Sequence, residues 1–151
     1  IVVDKLVQSR GIKVVCGGTT SQIVSSHTGE QLTVTLNYEN PGIPPAADIK
    51  GIDLVTEGVL TIGKTLDMLK RFPYMDRSEK VIALSKKDAA SRLVRILLEE
   101  STEVRFLVGR AINPAHQNPE MPISLGLKLN LIKEMKAELE KIGKIVNIEY
   151  F

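Results

Sequence analysis

Short apolar runs rich in β-branched residues alternate along this chain with segments of helical periodicity, and this alternation restricts the possible folds more than any other feature. Strands that alternate with helices are typical of α/β domains, in which helices cover a parallel sheet. We therefore expect an α/β fold with a largely parallel sheet of about five strands, flanked by helices in a Rossmann-like three-layer arrangement. The strands are predicted at residues 12–16, 32–38, 52–56, 103–108 and 145–150.

Helix signals fill most of the remaining chain. The segment 32–38 alternates strictly between apolar and polar residues, which is typical of a strand near a sheet edge. A short helix is expected to begin with Thr20 or Ser21 as its cap, and another with a capping box of Ser85 and Asp88. Helices are predicted at residues 1–9, 21–28, 58–72, 85–101 and 123–142, whereas 73–84 would suit a loop, a helical turn or a short strand.

Composition narrows the class of protein. A length of 151 residues suits a single α/β domain over 1–151. Twenty basic and 18 acidic residues are too balanced to indicate a nucleic-acid or membrane partner. No apolar run approaches the ~20 residues that span a bilayer, and one cysteine excludes an internal disulfide, so we expect a cytoplasmic protein. Because the first residue is Ile1 rather than Met, we expect a fragment of a longer chain.

The segment GGTTS, residues 17–21, joins the first predicted strand to a helix. Glycines allow close backbone approach, and a helix N-terminus attracts anions through its free N–H groups and its dipole. The hydroxyls of Thr19, Thr20 and Ser21 would add donors. The segment is neither a Walker loop nor a GxGxxG motif. It predicts either an anion site or simply a tight turn with a helix cap.

Two further strand-to-helix junctions carry polar residues. Thr56 and Glu57 follow the strand at 52–56, where the carboxylate would read a ligand hydroxyl or complement the helix dipole. Arg110 follows the strand at 103–108 and could clamp an anion. The proline-rich loop behind it carries further donors and acceptors at Asn113 and His116.

Because parallel strands bring their carboxyl ends to one edge, we predict a single composite ligand site.

Cys16 is expected to be a small buried hydrophobe. The Lys and Glu residues of 128–144 are expected to form a solvated helix face. No metal site and no cofactor are predicted. The predicted ligand-binding residues are Gly17, Gly18, Thr19, Thr20, Ser21, Thr56, Glu57, Arg110, Asn113 and His116.

Four long motifs resemble the C-terminal region of SpoIIE-like PPM-type serine/threonine phosphatases of anaerobic bacteria. They are KVVCGGTTSQIV, GIDLVTEGVLTIGK, DAASRL and FLVGRAINPAHQNPEMPISLGLK. The resemblance covers nearly the whole chain and implies an attached phosphatase domain upstream. The chain contains neither the Asp-Gly nor the Asp-Asp dipeptide that holds the catalytic metals of that family, so no catalytic residue is carried over.

The first functional hypothesis is therefore a non-catalytic regulatory domain, which binds a small anionic metabolite or nucleotide and modulates the attached phosphatase. The second is a separate enzyme that acts on a phosphorylated or carboxylated small molecule, with Glu57 or His116 as its acid or base. The third is a docking or dimerisation module, with a homodimer as one possible form, built on the strand at 32–38 and the proline loop after it.

Overall fold

The computed structural model describes residues 2–34, 42–109 and 121–151, with the side chains of 121–124 left out. Within these ranges the chain has a mixed α/β fold. The six helices are α1 (Val2–Gln8), α2 (Gly18–Thr28), α3 (Val59–Arg71), α4 (Arg77–Ser85), α5 (Ala89–Glu99) and α6 (Met121–Lys141). The six strands are β1 (Val14–Cys16), β2 (Thr33–Val34), β3 (Ala47–Asp48), β4 (Leu54–Thr56), β5 (Glu103–Val108) and β6 (Ile145–Tyr150).

The described strands form two groups. Four of them make a mixed sheet in the order β1-β4-β3-β2, in which β1 and β4 are parallel and β3 is antiparallel to both of its neighbours. Strands β5 and β6 form a separate parallel pair. The single five-stranded, largely parallel sheet that the sequence predicts is thus not confirmed, although the β1–β4 and β5–β6 pairs are each parallel.

The two faces of the β1–β4 pair are covered by different helices. Successive strand residues point to opposite faces, and Val15 and Val55 pack with Val24 of α2 in one apolar cluster that also contains α1. On the other face, Leu54 packs with residues of α3, α5 and α6. That larger cluster also contains Val108 of β5 and residues of β6, so both groups of strands share one core.

Helix α6 buries a narrower stripe than its apolar spacing indicates. Ile132, Met135 and Leu139 are buried, whereas Ile142, three residues beyond Leu139, is exposed. The reason is that the helix ends at Lys141, after which a turn at Gly143 directs the chain into β6.

Two of the helix starts predicted from the sequence are wrong by about one turn. Helix α2 begins at Gly18 rather than Ser21, because Gly17, at φ 115°, turns the chain immediately after β1. Ser85 is the last residue of α4 and does not cap α5. Asp88 caps α5 instead, since its carboxylate accepts the Ser91 N–H at 2.9 Å and the Ser91 hydroxyl at 2.8 Å.

The ambiguous segment before α5 is helical. A 3-10 turn over Phe72–Tyr74 follows α3, and Asp76 then caps α4 by accepting the Glu79 N–H at 2.8 Å. Within the described residues, no helix combines the length and apolar composition needed to cross a membrane.

Candidate functional site

Two glycine turns meet at the carboxyl end of the β1–β4 pair. Gly17 follows β1 and Gly58 follows Glu57 after β4, and both have positive φ angles, 115° and 139°. The Gly17 N–H donates to the Thr56 carbonyl at 3.0 Å, which extends the ladder by one bond. A Cβ at Gly58 would lie 3.2 Å from the Gly17 Cα. The backbones can approach this closely because Gly58 has no side chain.

The helices that follow these two turns pack on opposite faces of the sheet. Helix α2 covers the face of Val15 and Val55, and α3 covers the face of Leu54. Adjacent parallel strands whose helices leave in opposite directions define a topological switch point, where the crevice outside the strand ends is the usual ligand site of open α/β sheets. This arrangement brings the first and second predicted junctions together.

Helix α2 opens into this crevice without a capping side chain. Its N-cap is Gly17, which has no side chain to accept a bond from the first turn, and that turn holds no acidic residue. Thr19 and Thr20 are exposed, with Thr20 next to Gly17. Ser21 is buried, however, and its hydroxyl donates to the Gly18 carbonyl at 2.8 Å. The backbone and the two threonines, and not Ser21, thus supply the accessible donors.

Helix α3 differs from α2 because an internal carboxylate lies at its start. Glu57 Oε2 accepts the Thr61 N–H at 3.3 Å, and the Thr61 hydroxyl lies 3.5 Å from the same oxygen. The Glu57 side chain is otherwise exposed. Its negative charge complements the N-terminal end of the α3 dipole. The start of α3 thus has a carboxylate of the chain itself beside it, whereas the first turn of α2 contains no acidic residue.

Thr56 places a polar atom in the interior at the end of β4. The residue is 2% exposed, and within the described part of the chain its hydroxyl has no hydrogen-bond partner of normal geometry. Its register partner on β1 is Cys16, on the same face of the sheet. A thiol is a weak hydrogen-bond partner. The thiol therefore satisfies the Thr56 hydroxyl only weakly, and a buried hydroxyl with no partner at all would cost about 1–3 kcal/mol.

The pKa of the Cys16 thiol depends on its burial and on the groups around it. Although part of the residue is accessible, burial of the thiol raises its pKa above the ordinary value. The Thr56 hydroxyl and then the Lys128 ammonium oppose that increase, and the Glu57 carboxylate adds to it. A reactive thiolate of lowered pKa is therefore not favoured at Cys16, in agreement with its interpretation as a small buried residue.

Lys128 of α6 lies at the carboxyl end of β5, where sequence reasoning placed only Arg110, Asn113 and His116. Its Nζ donates to the Gly109 carbonyl at 3.2 Å, directly after β5, and its charge acts on Cys16 at the end of β1. This ammonium group therefore lies at the carboxyl end of β5. A helix that follows a parallel strand starts at the carboxyl edge, so the position of Lys128 near the start of α6 was the available signal.

The third predicted junction lies outside the described residues, and with it Arg110, Asn113 and His116. Among the described residues, no group of three His, Cys, Asp or Glu side chains is placed to hold a metal ion.

Comparison with known proteins adds no assignment. No protein-family model, curated protein or solved structure matches the chain. The similarity to SpoIIE-like phosphatases therefore stays a prediction from the sequence motifs.

Proposed function

We propose that this domain binds a small anionic ligand in the crevice at the carboxyl end of β1 and β4. The observation that carries the proposal is the switch point itself, where the uncapped start of α2 lies beside the contact between Gly17 and Gly58. The Thr56 hydroxyl, buried at the end of β4 beside the weakly bonding Cys16 thiol, is a second polar group near this crevice.

The domain would act as a sensor rather than as a catalyst. We place it, on the strength of the sequence motifs, as a cytoplasmic accessory domain of a SpoIIE-like serine/threonine phosphatase. Ligand binding would change phosphatase activity through a coupling free energy between the two domains. A continuous Rossmann-like sheet, in which β5 and β6 extend the β1–β4 pair, belongs to this proposal, as do Arg110, Asn113 and His116 as further ligand contacts.

The test is a thermal-shift and calorimetric titration with inorganic phosphate, ribose 5-phosphate, adenosine monophosphate and acetate at constant ionic strength. A ligand of the folded state raises the unfolding midpoint by mass action. We expect at least one probe to do so for the wild type. Gly18→Val should abolish the shift, because a side chain at the first residue of α2 would intrude on a bound anion. Among the described residues, and apart from its chain neighbours and its own helix backbone, no atom lies within 4 Å of a Cβ at Gly18, so the fold should tolerate the change.

Gly63→Val in the middle of α3 is the matched control, since a Cβ there also meets no atom within 4 Å. Thr56→Val is the second variant. It should leave the free protein at least as stable as the wild type and weaken binding. The proposal is wrong if no probe binds the wild type, or if Gly18→Val binds as the wild type does.

A docking role is the second candidate, and exposed apolar side chains around α4 favour it. Tyr74 is 90% exposed, and Val81 and Ile82 are also largely exposed. Native mass spectrometry over a range of protein concentrations tests self-association. A dimer that Val81→Lys abolishes would favour docking, and a monomer at all concentrations would remove the homodimer from consideration.

A further inference from the structure

We propose that the exposed side of α4 is a docking surface for an acidic, amphipathic helix of a protein partner. This inference gives the docking role, the second candidate function, a partner of defined chemistry. It is independent of the anion crevice, with which it shares no residue. The α4 surface consists of Tyr74, Arg77, Val81, Ile82, Lys86 and Lys87.

Helix α4 has apolar side chains on two sides, and only one of these sides packs against the domain. Ala83 is buried, and Leu84 packs against the core cluster that contains α5. Away from this side, Val81 and Ile82 are 64% and 60% exposed. Neighbouring apolar side chains that stay in solvent typically mark an interaction surface.

The exposed residues of α4 follow the spacing of one helix face. Ser78, Val81, Ile82 and Ser85 occupy positions i, i+3, i+4 and i+7, and all four are exposed. Because the two serines on either side of the apolar pair are small, a second helix can approach this face closely. The geometry therefore suits a helical partner.

The 3-10 turn before α4 adds an aromatic side chain to the surface. The Lys80 Nζ lies 5.2 Å from the centre of the Phe72 ring, so the turn lies against the helix. Tyr74 of the same turn projects into solvent. Tyrosine is enriched among the residues that dominate the binding energy of protein interfaces.

The charge of this segment determines the sign of the partner. Residues 70–87 contain six basic and two acidic residues, a net charge of +4, whereas the whole chain has a net charge of +2. Within the described part of the chain, Arg77, Lys86 and Lys87 have no ion-pair partner. Arg77 lies one helical turn before the apolar pair, and the two lysines follow directly after α4. Carboxylates of a docked helix would thus meet cations at both ends of the pair.

Two other occupants suit the surface less well. A second copy that docked symmetrically would bring the same cations face to face, which is destabilising. An anionic membrane would meet the exposed carboxylates of Asp76 and Glu79 together with the cations. A helix with discrete carboxylates can lie opposite the cations and avoid both acidic residues, so the mixed charge favours a protein partner.

The experiment measures the binding of fluorescein-labelled synthetic peptides to the domain by fluorescence anisotropy. The probe is a peptide of about 20 residues with Leu at helical spacing on one face and Glu at its other positions, and the control peptide has Gln in place of each Glu. We expect the Gln peptide to bind about tenfold more weakly than the Glu peptide. Binding of the Glu peptide should weaken about fivefold or more between about 50 and about 500 mM NaCl.

Variants of the domain test the apolar and the charged parts of the surface separately. Ile82→Ser should weaken binding of the Glu peptide about tenfold, whereas Ile23→Ser, which replaces a 53% exposed isoleucine of α2, should stay within about twofold of the wild type. Arg77→Gln should weaken binding about threefold or more, and Arg10→Gln, at an exposed arginine outside α4, should not. Because all four side chains are exposed, each variant should keep the unfolding midpoint of the wild type.

The inference is overturned if the Glu peptide does not bind the wild type, if the Gln peptide binds as tightly, or if Ile82→Ser binds no more weakly than Ile23→Ser. Binding of phosphatidylserine vesicles without binding of the Glu peptide would assign the surface to a membrane instead. A dimer that Ile82→Ser dissociates would assign it to a second copy, so that the docking role would stand and the acidic partner would not. None of these results affects the anion crevice, which Gly18→Val tests.

Discussion

At the scale of single residues, the close approach of two glycines determines the shape of the candidate site. Gly17 and Gly58 adopt backbone conformations that L side chains rarely take, and each starts the turn into a helix. The first glycine was recognisable in the sequence as part of a GGTTS turn. The contact between the two depends on the pairing of β1 with β4 and could not be read from either segment alone.

Gly58→Ala should destabilise the protein by about 1–3 kcal/mol, because it adds a Cβ 3.2 Å from the Gly17 Cα and forces a strained backbone conformation. Gly63→Ala, in the interior of α3, should instead be neutral or stabilising by about 0.5–1 kcal/mol, since alanine is the better helix former. Urea denaturation of both variants measures the difference. Equal stabilities of the two variants would contradict the close contact.

At the scale of elements, the two helices on the α2 face are joined at their surface by an ion pair. His27 of α2 lies 2.7 Å from the Asp4 carboxylate of α1. The hydrogen bond from His27, and then its charge, lower the pKa of Asp4 below its usual 3.8. The contact lies 23 residues apart in sequence, and only the packing of α1 on α2 creates it.

The sign of the resulting pH dependence follows from linkage. The pKa of Asp4 is lower in the folded protein than in the unfolded chain. The carboxylate therefore contributes its full stabilisation at a pH above its pKa in the unfolded chain, and this contribution is lost as the pH falls through its pKa in the folded protein. Between about pH 5 and about pH 3, Asp4→Asn should therefore lose less stability than the wild type. The exposed Asp67→Asn is the control and should follow the wild type. Urea midpoints across this range measure the effect, and identical profiles for both variants would exclude a role for the pair.

At the scale of the whole molecule, one apolar cluster connects the four-stranded sheet to the β5–β6 pair. Leu54 of β4, Val108 of β5 and Leu139 of α6 belong to it. Helix α6 contributes Ile132, Met135 and Leu139 to this core. A domain with one core is expected to unfold in a single transition.

Leu139→Ala should lower the free energy of unfolding by about 2–5 kcal/mol, since Leu139 is fully buried at 0% exposure. Leu127→Ala on the same helix should change it by less than about 0.5 kcal/mol, because Leu127 is 50% exposed. Circular dichroism in urea and amide hydrogen exchange measure the two effects. If β5 and β6 lost exchange protection well before β1 and β4, the single core would be disproved.

The sequence by itself determined the features that depend on local periodicity. The helix predicted at 123–142 is α6, the strand at 145–150 is β6, and the helix at 58–72 is α3. Each of these segments has a long, regular pattern of apolar residues or a clear stop signal at its end. Such signals depend on residues that are close together in the chain. The α/β class follows from the same local information.

The tertiary structure decided the rest, because strand pairing and helix docking are long-range events. Only the parallel register of β1 on β4 brings Gly58 to Gly17 and buries Thr56 beside Cys16. Only the docking of α6 brings the Lys128 ammonium group to the Gly109 carbonyl at the end of β5. A sequence indicates which residues prefer the interior, but the partner that each residue meets there is set by packing between segments far apart in the chain.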